Sequence, residues 1–549
     1  MTKEETGVTE VAHIPVVAEG TGKTAENAGA KQKEVYNAEL YAAIQESNIQ
    51  RWSRSSMHLY YCVFVAFCCA CANGYDGSLI GSITVMPHFK ETMHSQNSGW
   101  QVSVVSSLYR LTQISGSIIT TPFAALVSDR WGRKAGMVAG SIGIILGSII
   151  ASSSFSLAQV TVGRLVLGSG IQFMTVSAPA YSMEIAPPQW RGRCTGFYNC
   201  GWFGGSIPAA LVCFGCQYIN NNWSWRIPFI CQCFACFIVL ASVWFIPESP
   251  RWLFAHGRQE EAIAFLVKYH GNGNTSSRLV QLEIEEIQES IRQEEQDKEI
   301  AWWDFRCLFD THEGRWRSSQ VLMMGVFGQF SGNGLGYFNA EIFDELGIKS
   351  TAQQLGYNVL NSVLSAIGAG TAVTLTDRMP RRKVLVYGTF TCALVLAING
   401  ACNHVFGQDE NNKSAANAAL AFYFLFNVVN SFSYTPLQGV VPVEALDTKR
   451  RAKGLAFYGF LTGCLGFINT FCTPIANSTI GLNYIWVFVG WDCVEAVLWY
   501  FFCVEAQGRT LEELEWVYKQ PHPVKASQHV DRIVQQADGT VTEKIVEHE

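Results

Sequence analysis

The sequence predicts an all-α membrane protein, with twelve transmembrane helices arranged as two pseudo-symmetric six-helix halves. Three observations carry that expectation. Charged residues make up only 15% of the 549 positions, while hydrophobic residues make up 49%; a soluble domain carries about 25% charged. The charges are segregated, nearly absent from long apolar stretches and clustered in short connectors, as the cost of a charge in hydrocarbon requires. The charged connectors of the first half recur, in order, in the second.

A spanning helix needs about 20 mostly apolar residues. Residues 1–58 are polar, lack an apolar signal-peptide core and read as a cytosolic tail. Candidate spans follow at 59–82, 101–127, 136–153, 158–181, 195–218 and 226–246, which make 59–248 the N-terminal half. A polar loop, 249–319, is expected in the cytosol with amphipathic helices, the clearest at Gln281–Glu299. Spans at 320–345, 354–376, 384–404, 416–443, 454–476 and 483–503 make 320–503 the C-terminal half, and 504–549 is a second cytosolic tail. Glycines such as Gly140, Gly143 and Gly147 let neighbouring helices approach closely. The 18 cysteines lie mostly inside apolar segments and read as small buried hydrophobes, with neither zinc spacing nor a secreted disulfide framework.

Lysine and arginine set the orientation. Connectors 2–3 (Arg130, Arg133, Lys134), 4–5 (Arg191, Arg193), 8–9 (Arg378, Arg381, Arg382, Lys383) and 10–11 (Lys449, Arg450, Arg451, Lys453) are basic, and the alternate connectors are not. All four then face the cytosol together with the central loop and both tails. One missed helix would break the alternation.

The repeat is specific. Asp129-Arg130-Trp131-Gly132-Arg133 matches Asp377-Arg378-Met379-Pro380-Arg381. Glu184 precedes Arg191 by seven residues and Glu444 precedes Arg451 by seven. Glu248 follows the sixth span and Glu505 the twelfth. Two six-helix halves around a pseudo-two-fold axis suit a transporter that rocks about a midplane site. Asp129, Arg133, Glu184, Arg191, Glu248, Asp377, Arg381, Glu444, Arg451 and Glu505 are expected to form a cytosolic charge latch, pairing across the halves when that side closes. The alternative is that these charges only set topology.

At these residues the chain resembles the sugar porter family of the major facilitator superfamily. The resemblance is carried by DRWGRK (129–134), GRLVLGSG (163–170), PAYSMEIAPPQWRGR (179–193), PESPRW (247–252), GQFSGNG (328–334), DRMPRRK (377–383) and EAQGRTLEE (505–513). The shorter pieces GYDGS (74–78), YNCGW (198–202), QFSGN (329–333) and YTPLQ (434–438) look like the fungal lactose and cellodextrin permease branch. The resemblance implies alternating-access transport, with proton-coupled import of a disaccharide of the lactose or cellobiose type across a plasma membrane. Kept beside it are a carrier of a monosaccharide, polyol or sugar acid and, from another class, a non-transporting sugar sensor. It also implies a proton-coupling pair, Asp76 on the first span with Arg164 on the fourth. A structural pair in a uniporter is the alternative.

Sugar hydroxyls need partners that both donate and accept, which amides supply. By the resemblance Asn199 matches a sugar-binding position. Gln329 and Asn333, four apart, share one helix face, and Asn361 and Gln438 add amides from the second half. Trp202 could stack on a pyranose ring. Each of these is also able to serve as interhelical packing. Departures from the family pattern are Gly328 in place of the first of two glutamines, Gly334 at an asparagine position, Gly439 at a tryptophan position and Val504 at a proline position. Gly439 is expected to leave room for a larger ligand. No phosphate loop, nucleophile elbow or metal cluster is present in the sequence, so neither an enzyme nor a cofactor is expected. The expected partners are the sugar, protons and the bilayer, with no nucleic acid, for a chain working as a monomer.

Overall fold

Ser53 opens the first span: its hydroxyl accepts from Ser56 N–H, satisfying an orphan amide of the first turn. The helix then runs from Arg54 to Ile83. In this computed structural model the described residues are 52–93, 120–297, 305–332, 346–375, 379–409, 412–507 and 511–528, isolated positions between 335 and 343, and the strands Arg532–Gln535 and Val541–Lys544. The strands pair antiparallel, with Arg532 opposite Lys544, in a unit separate from the one spanning Tyr36–His529. All that follows concerns the larger unit.

The second span is described from Thr121 to Trp131. The remaining first-half spans are Arg133–Ser152, Leu157–Ile185, Arg191–Cys216 and a sixth built from Trp223–Cys231 and Cys233–Ser242, interrupted at Gln232. The second half comprises His312–Phe330, Thr351–Leu375, Arg381–Gln408, Lys413–Ala445, Thr448–Ile480 and Ile485–Phe502. Eight helices among the described residues are long and apolar enough to cross a bilayer. Large apolar side chains such as Phe234, Phe390, Val487 and Phe501 point outward, as a lipid-facing surface requires. The third and fourth spans show what the glycines are for: a Cβ on Gly170 would lie 2.7 Å from Gly140 O, so the two backbones touch.

The seventh span, placed at 320–345 and rich in glycine from Gly328 to Gly336, does not run as one helix. The helix ends at Phe330, Ser331 closes it, and Gly332 turns the chain at φ +81°. The Phe426 ring fills the place of a Gly332 side chain; a Cβ there would meet it at 2.5 Å. A left-handed residue without room for a side chain stops an α-helix.

Between the halves, helices Pro250–Ala255, Gln259–Tyr269 and Arg278–Asp297 form the central loop. Leu279, Val280 and Glu283 are buried, and Ile284, Ile287 and Ile291 pack on the first-half core. Both ring nitrogens of His270 are engaged, Nδ1 by Glu283 Oε2 at 2.6 Å and Nε2 by Ile185 O at 3.1 Å. That ties the loop to the end of the fourth span. Part of the C-terminal tail also folds back. Leu511–Lys519 packs Leu514, Val517 and Tyr518 beside Trp316, and the Arg317 guanidinium lies 4.5 Å from the Tyr518 ring.

Candidate functional site

Two buried charged residues inside spans meet in the first half. Arg164 Nη2 donates to Asp76 Oδ2 at 3.1 Å, and both side chains are 1% exposed. Gln232, at the interruption of the sixth span, donates through Nε2 to Asp76 Oδ1 at 2.9 Å. The carboxylate thus holds the first, fourth and sixth spans together. An ion pair this deep costs heavily to desolvate and is weak evidence for stability alone. A proton on Asp76 would cancel the attraction to Arg164.

The amides occupy the spans that line the interface between halves. Asn199 Nδ2 and Asn361 Oδ1 are buried with no hydrogen-bond partner, and so are Asn73 Oδ1 and Asn430 Oδ1, two positions the sequence reading did not name. These four sit on the fifth, eighth, first and tenth spans. The first packs along the fifth, the fifth along the eighth, and the eighth along the tenth. A buried amide atom without a partner costs ~1–3 kcal/mol, so each of the four is a candidate to meet a ligand's donors or acceptors.

The other expected site residues divide. Gln438 Nε2 donates to Gly328 O at 3.2 Å, and Asn469 Nδ2 donates to Gln329 O at 2.6 Å. Two amides therefore serve the orphan carbonyls where the seventh-span helix ends. Gln438 is used at least in part as interhelical glue. The Gln329 side chain is half-buried at this break. Asn333 lies outside the described residues. Trp202 packs on the first span: its ring edge covers Gly77, and a Cβ there would meet Trp202 Cη2 at 2.4 Å. Gly439 does not leave open room on its side-chain face, contrary to expectation. A Cβ there would lie 2.6 Å from Asn199 Nδ2, so the Asn199 amide fills the space a larger residue would take.

At the basic end of the bundle the repeated charges form two clusters, one in each half. In the first, Arg133 grips Glu184 with two bonds, Nη2 to Oε1 at 3.1 Å and Nε to Oε2 at 3.2 Å, and also meets Asp129 at 2.7 Å. Glu248 Oε1 accepts from the Arg133 backbone N–H at 3.1 Å, at the start of the third span. In the second, Arg381 Nη2 reaches Glu444 Oε1 at 3.2 Å. Glu505 accepts from the backbone N–H groups of Arg381 and Arg382 at 2.9 and 3.0 Å, at the start of the ninth span. Glu248 and Glu505 are thus remote caps on helix N-termini, where orphan amides and the helix dipole favour an anion. Burial raises the Glu248 carboxyl above its ordinary range, while Ser249 N–H and the Lys134 charge pull it back.

The described pairs of these clusters join helices within a half; the pairing across the halves is expected only when the cytosolic side is closed. The bidentate geometry explains this: Arg133 and Arg381 are occupied by the glutamates of the adjacent fourth and tenth spans. Arg191 pairs with the central loop, at 3.6 Å from Glu283 and 3.9 Å from Glu286. Asp377 and the Arg451 side chain lie outside the described residues.

Sequence reasoning also missed Asp492 and Glu495 on the twelfth span, both fully buried. The signal was plain: two acids three residues apart in an otherwise apolar 18-residue helix.

Residues 61–518 match the family described as "Sugar (and other) transporter". The MFS-type transporter oryC of Aspergillus oryzae is 26% identical over 81% of this chain and 82% of its own length. A quinate permease of Neurospora terricola is 25% identical over 84% and 89%, and a high-affinity glucose transporter of Kluyveromyces lactis is 26% identical over 84% and 85%. None of these names carries lactose or cellodextrin. Among solved structures, the proton:xylose symporter XylE bound to 6-bromo-6-deoxy-D-glucose superposes with a TM-score of 0.69 at 20% identity, over 85% of this chain and all of that one. At that identity the likeness is one of fold.

Proposed function

The chain belongs to the sugar transporter family of the major facilitator superfamily, and from that premise we propose that it imports a neutral sugar together with a proton by alternating access. The observation that carries the substrate class is the set of unpartnered amides, Asn73, Asn199, Asn361 and Asn430, on spans from both halves. A polyhydroxylated ring supplies the missing donors and acceptors to all of them at once. Among the described residues the buried arginines of the spans are each taken by an acid: Arg164 by Asp76, Arg317 by Glu313 and Arg381 by Glu444. That disfavours an anionic ligand. Gln329, with Asn333 beyond it, stands at the break of the seventh span, where a bending helix brings side chains to a midplane site.

Asp76 and Arg164 are the coupling pair in this reading. Outside, a proton on Asp76 releases Arg164 and frees the first span from the fourth. Inside, its loss restores the pair. The basic end then faces the cytosol, both termini are cytosolic, the membrane is the plasma membrane and the working unit is the monomer. The charge clusters brace each half as a rigid body, so that the halves rock as units. A disaccharide of the lactose or cellobiose type is supported by the short motifs alone, since Asn199 takes the space beside Gly439.

A second reading, uptake of a cyclic polyol acid, is favoured by the quinate permease among the relatives and by Arg110, which falls in the predicted second span and outside the described residues. Radiolabelled uptake of lactose, cellobiose, glucose, xylose and quinate in a transport-deficient yeast separates the two. The proposal expects concentrative uptake of a neutral sugar that a protonophore abolishes. Uptake of quinate alone would replace it with the second reading.

A further inference from the structure

The twelfth span carries two carboxyl groups that the transport reading leaves unused. Asp492 and Glu495 are both 0% exposed and lie one helical turn apart on the same face, toward the interior of the second half. Asp492 Oδ1, Asp492 Oδ2 and Glu495 Oε1 have no hydrogen-bond partner. The other Glu495 oxygen accepts from Tyr434 Oη at 3.2 Å. That hydroxyl is itself held by Thr389 Oγ1 at 2.7 Å and by Trp499 Nε1 at 3.4 Å. The groups facing the acids are therefore Thr389 and Cys392 of the ninth span, Tyr434 of the tenth, and Trp491 and Trp499 of their own. Phe327 of the seventh span closes the side with its ring against Trp491 and Trp499. Among the described residues no lysine, arginine or histidine pairs with either acid.

Two observations of different kinds converge here. An isolated carboxylate deep in a membrane helix is costly, and two side by side repel as well. A neutral carboxylic acid removes both penalties. Independently, Asp492 is a fully buried polar side chain with neither oxygen satisfied, beside the Cys392 thiol and the Glu495 carboxyl. We propose that Asp492 and Glu495 form a proton-binding site in the second half, distinct from Asp76 and Arg164, that holds its proton as a carboxylic acid. Binding adds one proton to a carboxylate oxygen and release returns it to water; no other bond changes.

The site has a mechanical outlet. Tyr434 stands two residues before Pro436, which removes a backbone donor inside the tenth span. Gln438, one turn beyond Tyr434, holds Gly328 O at the end of the seventh-span helix. An ionised Glu495 would draw the Tyr434 hydroxyl more strongly than a neutral one. Protonation thus bears on the bend that lies beside the seventh-span break.

The test is infrared difference spectroscopy of the full-length protein in lipid nanodiscs, stepped in pH without sugar, in water and in deuterium oxide. It reads the site whether or not the chain carries sugar. The wild type is expected to show a protonated-carboxyl C=O band that shifts in deuterium oxide and is missing from Glu495→Gln or Asp492→Asn. Each amide is isosteric with the neutral acid, and if one variant does not fold the other reads the pair. Asp76→Asn marks the separate signal of the first half. A wild-type spectrum with no band removed by either twelfth-span variant overturns the proposal. A band that responds to sodium at fixed pH instead of to the pH step overturns it in favour of a metal cation.

Discussion

The two halves agree at their basic ends and disagree in the membrane interior. At the ends, Glu248 caps the third span and Glu505 the ninth, while Arg133 and Arg381 each hold the glutamate of the next helix. In the interior, the first half balances Asp76 with a guanidinium and an amide, and the second half surrounds Asp492 and Glu495 with neutral groups. The shared part answers a need every copy of the repeat has, because a helix N-terminus leaves amides unsatisfied and an anion satisfies them. The divergent part answers no such need. Charge placed inside a membrane helix without a structural requirement belongs to the task of the protein.

The contrast breaks most visibly at Arg164. Replacing it with leucine strands a buried carboxylate, a loss of ~3–5 kcal/mol. Thermal unfolding of the purified variant should show the largest drop of the single substitutions considered. The double variant Asp76→Leu with Arg164→Leu should recover most of it. If Arg164→Leu alone unfolds like the wild type, the pair does not carry the charge balance described.

The end clusters should behave alike. Glu248→Ala and Glu505→Ala each remove charge-assisted bonds to backbone N–H groups, worth about 1.5–3 kcal/mol. Thermal shifts equal to within about 1 kcal/mol would support equivalent caps. A large loss in one half only would show that the repeat has been put to different uses.

The smallest effect on stability belongs to Gln329, whose expected consequence is on affinity. Gln329→Ala should raise the half-saturating sugar concentration about ten- to a hundredfold, corresponding to ~1–3 kcal/mol. Surface expression should remain near normal. Reduced expression with unchanged affinity would make Gln329 a packing residue instead.

How much of this was legible in the sequence follows from which forces act locally. The spans could be read because hydrocarbon admits only long apolar helices, and the repeat because its charges sit at fixed places in short connectors. Asp76 could be named because it interrupts an apolar run, and Arg164 because the family resemblance implied it as the partner. Asp492 and Glu495 interrupt one equally, yet they have no counterpart in the sixth span and so stand outside the repeat. Asn73, three residues before Asp76, was hidden by its stronger neighbour. The direction of the charge pairs could not be read at all. Whether Arg133 reaches Glu184 beside it or an acid in the other half is decided by helix packing, not by spacing along the chain. The occupation of the Gly439 space by Asn199 likewise belongs to the contact between the fifth and tenth spans.

The central claim is that Asp76 couples a proton to sugar movement, and the most direct measurement compares two fluxes in the same proteoliposomes. Asp76→Asn keeps the size of the side chain and its hydrogen-bonding to Gln232 but fixes it in an uncharged state. Sugar accumulation driven by an imposed proton gradient should vanish, while exchange of labelled for unlabelled sugar at equal concentrations should continue. Accumulation by Asp76→Asn at the wild-type level would contradict the account.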